Sequence, residues 1–121
     1  MIDYHIPLHY RRPPLTANMR LHWAKKAEIT KEIRTTTTWL AKAHRLPRDL
    51  QHCTVTLHYA PVDKRRRDAD NLVPTLKAIC DGLVDYGLVP DDTPQYMTKH
   101  MPIIEPPERP ARTWITITEG D

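Results

Sequence analysis

At 121 residues the chain is sized for one domain, able to bury roughly two-thirds of its unfolded surface without disulfides or a structural metal. Its 40% hydrophobic and 27% charged residues are those of an ordinary soluble globular protein, and no apolar run approaches the ~18 to 20 residues of a membrane span. The net charge of +3 is unevenly divided: residues 1–60 carry ten Lys/Arg against four Asp/Glu (+6), residues 61–121 eight against eleven (−3), a split that suits holding a polyanion with one part and a metal with the other.

The N-terminus Met1-Ile2-Asp3-Tyr4-His5 lacks the basic and apolar regions of a signal peptide, so the expected location is cytoplasmic. Cys53 and Cys80 lie among apolar residues without CxxC spacing and read as reduced core thiols. Phe is absent, which leaves three Trp and five Tyr to supply the large rings.

In chain order, Ile2, Tyr4, Ile6, Leu8 and Tyr10 alternate with polar residues, the period of a half-buried strand, until Arg11-Arg12-Pro13-Pro14 stops it. From about Trp23 to Ala43, Ile29, Ile33, Thr37 and Leu40 recur at helical spacing, with Trp23, Trp39 and Ala43 able to widen the stripe and the two Trp read as core anchors ahead of base-stacking platforms. Leu46-Pro47 ends that helix. Cys53, Val55, Leu57 and Tyr59 then alternate with Thr54, Thr56 and His58 as a second strand, flanked by His52 and His58 at exposed positions.

Leu72, Leu76, Ile79, Cys80 and Leu83 trace one stripe of a second helix, with Asn71 as its expected N-cap, Pro74 at its third position and Gly87 at its close. A Pro90-Asp91-Asp92-Thr93-Pro94 loop follows, then a strand around Tyr96 to Met101, a Pro-rich hairpin connection from Pro102 to Pro110, and a last strand Thr113 to Thr118. The order β-α-β-α-β-β predicts a single mixed domain of the α+β (mixed α/β) class spanning residues 1–121.

The most informative stretch joins the second strand to the second helix. Lys64, Arg65, Arg66 and Arg67 adjoin Asp68 and Asp70 with no spacer. Four adjacent cations gain most from a phosphate backbone, which the two carboxylates repel. At ~5 Å and an effective dielectric near 20 the carboxylates also repel each other by roughly 3 kcal/mol. A hard divalent metal bridging carboxylates and phosphate settles both conflicts, and the alternative is a charged surface turn. If the junction stays extended, Asp68 and Asp70 point to one side. Lys77 lies two helical turns on and can pair with Asp81 at i,i+4. Asp91-Asp92 offers a third carboxylate, or an ordinary Asp turn.

The run Asp63 to Leu72, followed by Lys77-Ala78-Ile79-Cys80-Asp81-Gly82-Leu83 and Gly87-Leu88-Val89-Pro90-Asp91-Asp92, resembles the signature of RusA-type Holliday junction resolvases: basic cluster, Asp-x-Asp-Asn-Leu, Lys, Asp-x-Leu, Gly and Asp-Asp. Pro13-Pro14-Leu15-Thr16-Ala17-Asn18 with Arg20 resembles the family's Pro-rich, Asn-containing approach to its first helix, and Thr116-Ile117-Thr118-Glu119 its last strand. The resemblance implies a small homodimeric, Mg²⁺-dependent endonuclease, with Mn²⁺ as a substitute, that cuts four-way DNA junctions symmetrically. It assigns Asp68, Asp70 and Asp92 as metal-binding carboxylates, with Asp91 an alternative to Asp92, and Lys77 as the essential lysine. Val73-Pro74-Thr75 makes the interval from Asn71 to Lys77 three residues longer than the family's, almost one helical turn, which keeps the lysine's face and shifts its height.

On this reading Lys64, Arg65, Arg66 and Arg67, with Asn18 and Arg20, seat the DNA backbone. Lys25, Lys26 and Lys31 either track phosphates along the first helix or form a solvated face. The other classes left open are a nuclease for flaps or forks and a non-catalytic nucleic-acid-binding module.

Overall fold

The computed structural model describes residues 3–120. Strand β1 (Asp3–Pro7) leads to helix α1 (Trp23–Ala43), strand β2 (Cys53–Ala60), a 3₁₀ turn at Ala69–Leu72, helix α2 (Val73–Tyr86) and strands β3 (Met97–Lys99), β4 (Ile103–Ile104) and β5 (Arg112–Glu119). The protein is a single-domain α+β fold with a mixed sheet and two helices. Ile2, read as part of the first strand, lies outside the described residues.

The sheet runs β1-β5-β2-β3, with β4 beside β2 as well. β5 is antiparallel to both neighbours, Ile115 facing Ile6 on one side and Leu57 on the other. The expected hairpin between the last strands is absent among the described residues. Instead β3 and β4 both lie parallel to β2, Met97 against Cys53 and Ile104 against Tyr59, and the connection then crosses to β2's other side. Pro102, which has no N–H to donate, sits where the edge ladder breaks.

Period-2 alternation puts Val55, Leu57, Ile115 and Ile117 into the core with Ile6. The core stripe of α2 reads as expected: Leu72, Leu76, Ile79, Cys80 and Leu83 are all buried. The thiols of Cys53 and Cys80 are free and buried, and burial pushes them up to about 11 and about 12, which leaves them inert.

Helix α1 buries Ile33, Thr37 and Ala41 against α2. Its run of threonines is poor helix material, yet Thr37 and Thr38 donate back to the carbonyls of Ile33 and Arg34, which satisfies their hydroxyls in place. The helix ends three residues before Leu46, in a Schellman motif: Leu46 N donates to Ala41 O, Arg45 N to Lys42 O, and Arg45 takes φ 52°. Helix α2 closes in the same way at Gly87, φ 100°. Its start differs from expectation. Asn71 belongs to the 3₁₀ turn and its side chain caps nothing; Val73 opens the helix with Pro74 second, where the missing N–H forfeits no bond.

Trp23 and Trp39 are not core anchors: they are 76% and 69% exposed. Trp39 falls about 140° off the stripe of Ile33 and Thr37 at ~100° per residue, and Trp23 lies beyond the reach of α2. His52 and His58 are likewise not the exposed positions expected. His58, 12% exposed, bridges Glu105 Oε2 (2.6 Å) and Thr116 Oγ1 (2.9 Å) and stacks on Trp114; His52 bridges Gly120 O and Thr98 Oγ1.

Candidate active site

The loop after β2 is organised by Asp63. Its Oδ1 accepts from the Arg65 amide and from the Arg67 guanidinium, both at 3.0 Å, and these bonds hold its carboxyl below the usual range. Arg67 also donates to the carbonyls of Asp63 and Arg65, so its fork is spent on the loop's own backbone. Lys64, Arg65 and Arg66 remain exposed. The basic run is therefore one structural arginine and three outward cations.

A cleft of about 700 Å³ opens beside this loop, lined among others by Arg12, Asn18, Arg66, Arg67, Asp68 and Asn71. Its opposite wall is the Pro13-Pro14 segment, pinned to α2 by Thr75. That buried hydroxyl donates to Leu15 O at 2.6 Å and accepts from Leu15 N at 3.0 Å, and Ala17 N donates to Asn71 O. Asn18 Oδ1 in turn accepts from Thr16 Oγ1. The structure thus brings Asn18, Arg66, Arg67 and Asp68 together. Arg20 is exposed and does not line the cleft; Arg12, which sequence reasoning treated as a strand terminator, does.

The extended junction holds through Asp68, at φ −96° and ψ 126°, and then ends. Asp70 is the second residue of the 3₁₀ turn, so the two-residue alternation expected to align it with Asp68 does not reach it. Both carboxylates are exposed, and among the described residues neither has a side-chain hydrogen bond or ion pair.

Lys77 forms a second cluster. Its ammonium donates to Asp81 Oδ1 at 2.8 Å, the expected i,i+4 pair, and to Asp92 Oδ2 at 2.6 Å. Lys99, a residue that spacing gave no reason to select, donates to the same Asp92 oxygen at 3.0 Å. The hydrogen bonds to Asp81 and then Asp92 raise Lys77 above its ordinary 10.5; those from Lys77 and then Lys99 hold Asp92 down at about 2. Asp91 is exposed and its Oδ1 accepts from the Asp92 amide.

Among the described residues no three His, Cys, Asp or Glu stand together as a metal-holding group. The oxygen donors a hard divalent cation would use are the unengaged carboxylates of Asp68 and Asp70, while Asp92 keeps only Oδ1 without a partner among the described residues, its Oδ2 being held by two ammonium groups. No family model matches the chain, and no curated protein matches it. Among the described residues no helix is long and apolar enough to cross a membrane.

Proposed function

We propose that the chain is a Mg²⁺-dependent, structure-selective endonuclease of the RusA type, with Mn²⁺ as a substitute, that resolves four-way DNA junctions by paired symmetric nicks. It would act as a homodimer in the cytoplasm of a bacterial or phage-infected cell, with residues 1–121 as one RusA-like domain. The observation that carries the reading is the cleft lined by Arg12, Arg66, Asn18 and Asp68, whose carboxylate is unengaged. Cations that draw in a phosphodiester and a carboxylate that repels it belong together when a metal completes the site.

Asp68 and Asp70 would hold the metal, with Asp92, or Asp91 in its place, as the third carboxylate. When bound, the metal supplies Lewis-acid activation of water and neutralises the scissile phosphate. Lys77, its proton held by Asp81 and Asp92, would serve as a fixed cation for developing negative charge, not as a base. Lys64, Arg65 and Arg66 would seat the backbone without reading bases. A two-fold dimer would present two such sites to a two-fold junction.

A second reading, a nucleic-acid-binding module with structural carboxylates, is favoured by one observation: Asp92 is already engaged by two lysines. Cleavage of junction, flap and linear duplex with and without Mg²⁺ separates these readings and the flap or fork nuclease. Asp70→Asn is expected to abolish junction cleavage and preserve binding; retained cleavage would sink the mechanism.

A further inference from the structure

Helices α1 and α2 run in opposite directions, since Arg34 meets Asp85 while Thr38 meets Gly82, and α2 stops at Tyr86. The face of α1 that packs on α2 therefore continues past the end of its partner. Trp23, Lys26, Thr30, Lys31 and Arg34 fall on this continuation at helical spacing, lining a groove of about 590 Å³ closed at one end by Asp85. Residues 23 to 28 are exposed throughout.

The charges in the groove are not equivalent. Arg34 is neutralised by Asp85 through two bonds, of 2.9 and 2.8 Å. Lys25, outside the groove, pairs with Glu28. Lys26 and Lys31 have no carboxylate partner among the described residues, and no Glu of α1 lines the groove. The result is a largely exposed indole, tilted against the His22 ring, at the start of a groove that carries two ammonium groups with no carboxylate partner among the described residues.

We propose that this groove binds an unpaired nucleotide strand, with a base stacked on Trp23 and the flanking phosphates on Lys26 and Lys31. Base–aromatic stacking beside cations is the chemistry of sequence-tolerant single-strand binding, and only unpaired bases expose the ring face that an indole can use. A second copy docked by two-fold symmetry would set Lys26 and Lys31 against the same residues, a like-charge contact without compensation. The proposal rests on the reading of the chain as a nucleic-acid-binding protein and not on cleavage.

Binding of fluorescein-labelled single-stranded oligothymidylate, and of a duplex of equal length, is measured in EDTA so that no cutting occurs. Trp23→Ala is expected to weaken single-strand affinity about tenfold and leave duplex affinity within about twofold, while Trp23→Phe restores most of the loss. Lys26→Ala with Lys31→Ala is expected to weaken single-strand binding and flatten its salt dependence. Trp39→Ala, an equally exposed tryptophan off this face, is expected to bind as the parent does. Unchanged single-strand affinity in Trp23→Ala, equal loss in Trp39→Ala, or a fall in sedimentation mass in Trp23→Ala overturns the proposal, the last by making the face a self-association surface. A protein that binds single strands through Trp23 yet cuts no branched DNA leaves this inference standing and removes the nuclease reading instead.

Discussion

The ammonium of Lys77 stands 2.6 Å from Oδ2 of Asp92, across the turn that follows α2. Lys99 reaches the same oxygen, so one carboxylate ties the middle of α2 to the edge strand β3.

That tie makes a pH prediction. Asp92 titrates at about 2 in the fold against an ordinary 3.8, so its contribution to stability is fully present above pH ~4 and is lost as pH falls toward 2. Lys77, raised above its ordinary value, keeps its proton throughout that window. The shift corresponds to about 2 kcal/mol, reduced to about 1 by solvent around the 55%-exposed lysine. Asp92→Asn is expected to flatten urea-unfolding free energy between pH 4 and 2 relative to the parent; parallel profiles would count against the tie.

The Thr75 hydroxyl is expected to matter for both stability and binding. Thr75→Val leaves the Leu15 N–H and C=O without their partner and should cost about 2 to 4 kcal/mol in urea unfolding. Because the same bonds hold the Pro13-Pro14 wall of the cleft, junction affinity should fall in the folded variant, and Thr75→Ser should recover both. A Val variant with parental affinity would mean the wall does not depend on this anchor.

Gly82 sits where α2 presses directly against the backbone of α1. A Cβ there would lie 2.7 Å from Thr37 Cβ and 2.8 Å from the Arg34 carbonyl oxygen, and the latter, as helix backbone, cannot swing away. Gly82→Ala should therefore destabilise by about 1 to 3 kcal/mol, overriding the ~1 kcal/mol that Ala gains over Gly in a helix. Thermal denaturation checks the sign; a rise in Tm would show that α1 can shift.

Exposed and buried apolar residues should separate sharply. Trp39→Ser is expected to change stability by less than about 0.5 kcal/mol, whereas Ile79→Ala in the core should cost about 2 to 5. Urea titration of both variants decides it.

The helices and β2 were legible because their apolar residues recur at one period over many residues: Ile29, Ile33 and Leu40 on α1, Leu72 to Leu83 on α2, Cys53 to Tyr59 on β2. Trp39 misled because its size suggested burial while its angular position did not, and Trp23 because it lies on the packing face of α1 but beyond the end of α2. β4 is two residues long, too short to show a period, and its parallel pairing with β2 depends on a partner more than forty residues away. In the site, the cations, Asp68 and the Lys77–Asp81 pair could be read from neighbours in sequence. Lys99 and Arg12 could not, since only the folded sheet and the pinned loop carry them to Asp92 and the cleft.

The placement of β5 sets an order of assembly. This strand fills the slot between β1 and β2, so those two earlier strands never pair directly and are joined only when residues 112–119 arrive. On a ribosome, pairing of α1 with α2 and of β2 with β3 and β4 can begin early, whereas β1 joins the sheet only once residues 112–119 are made. Loss of the final strand would not trim an edge; it would leave β1 and β2 as two separate edges, each open to pairing with another molecule.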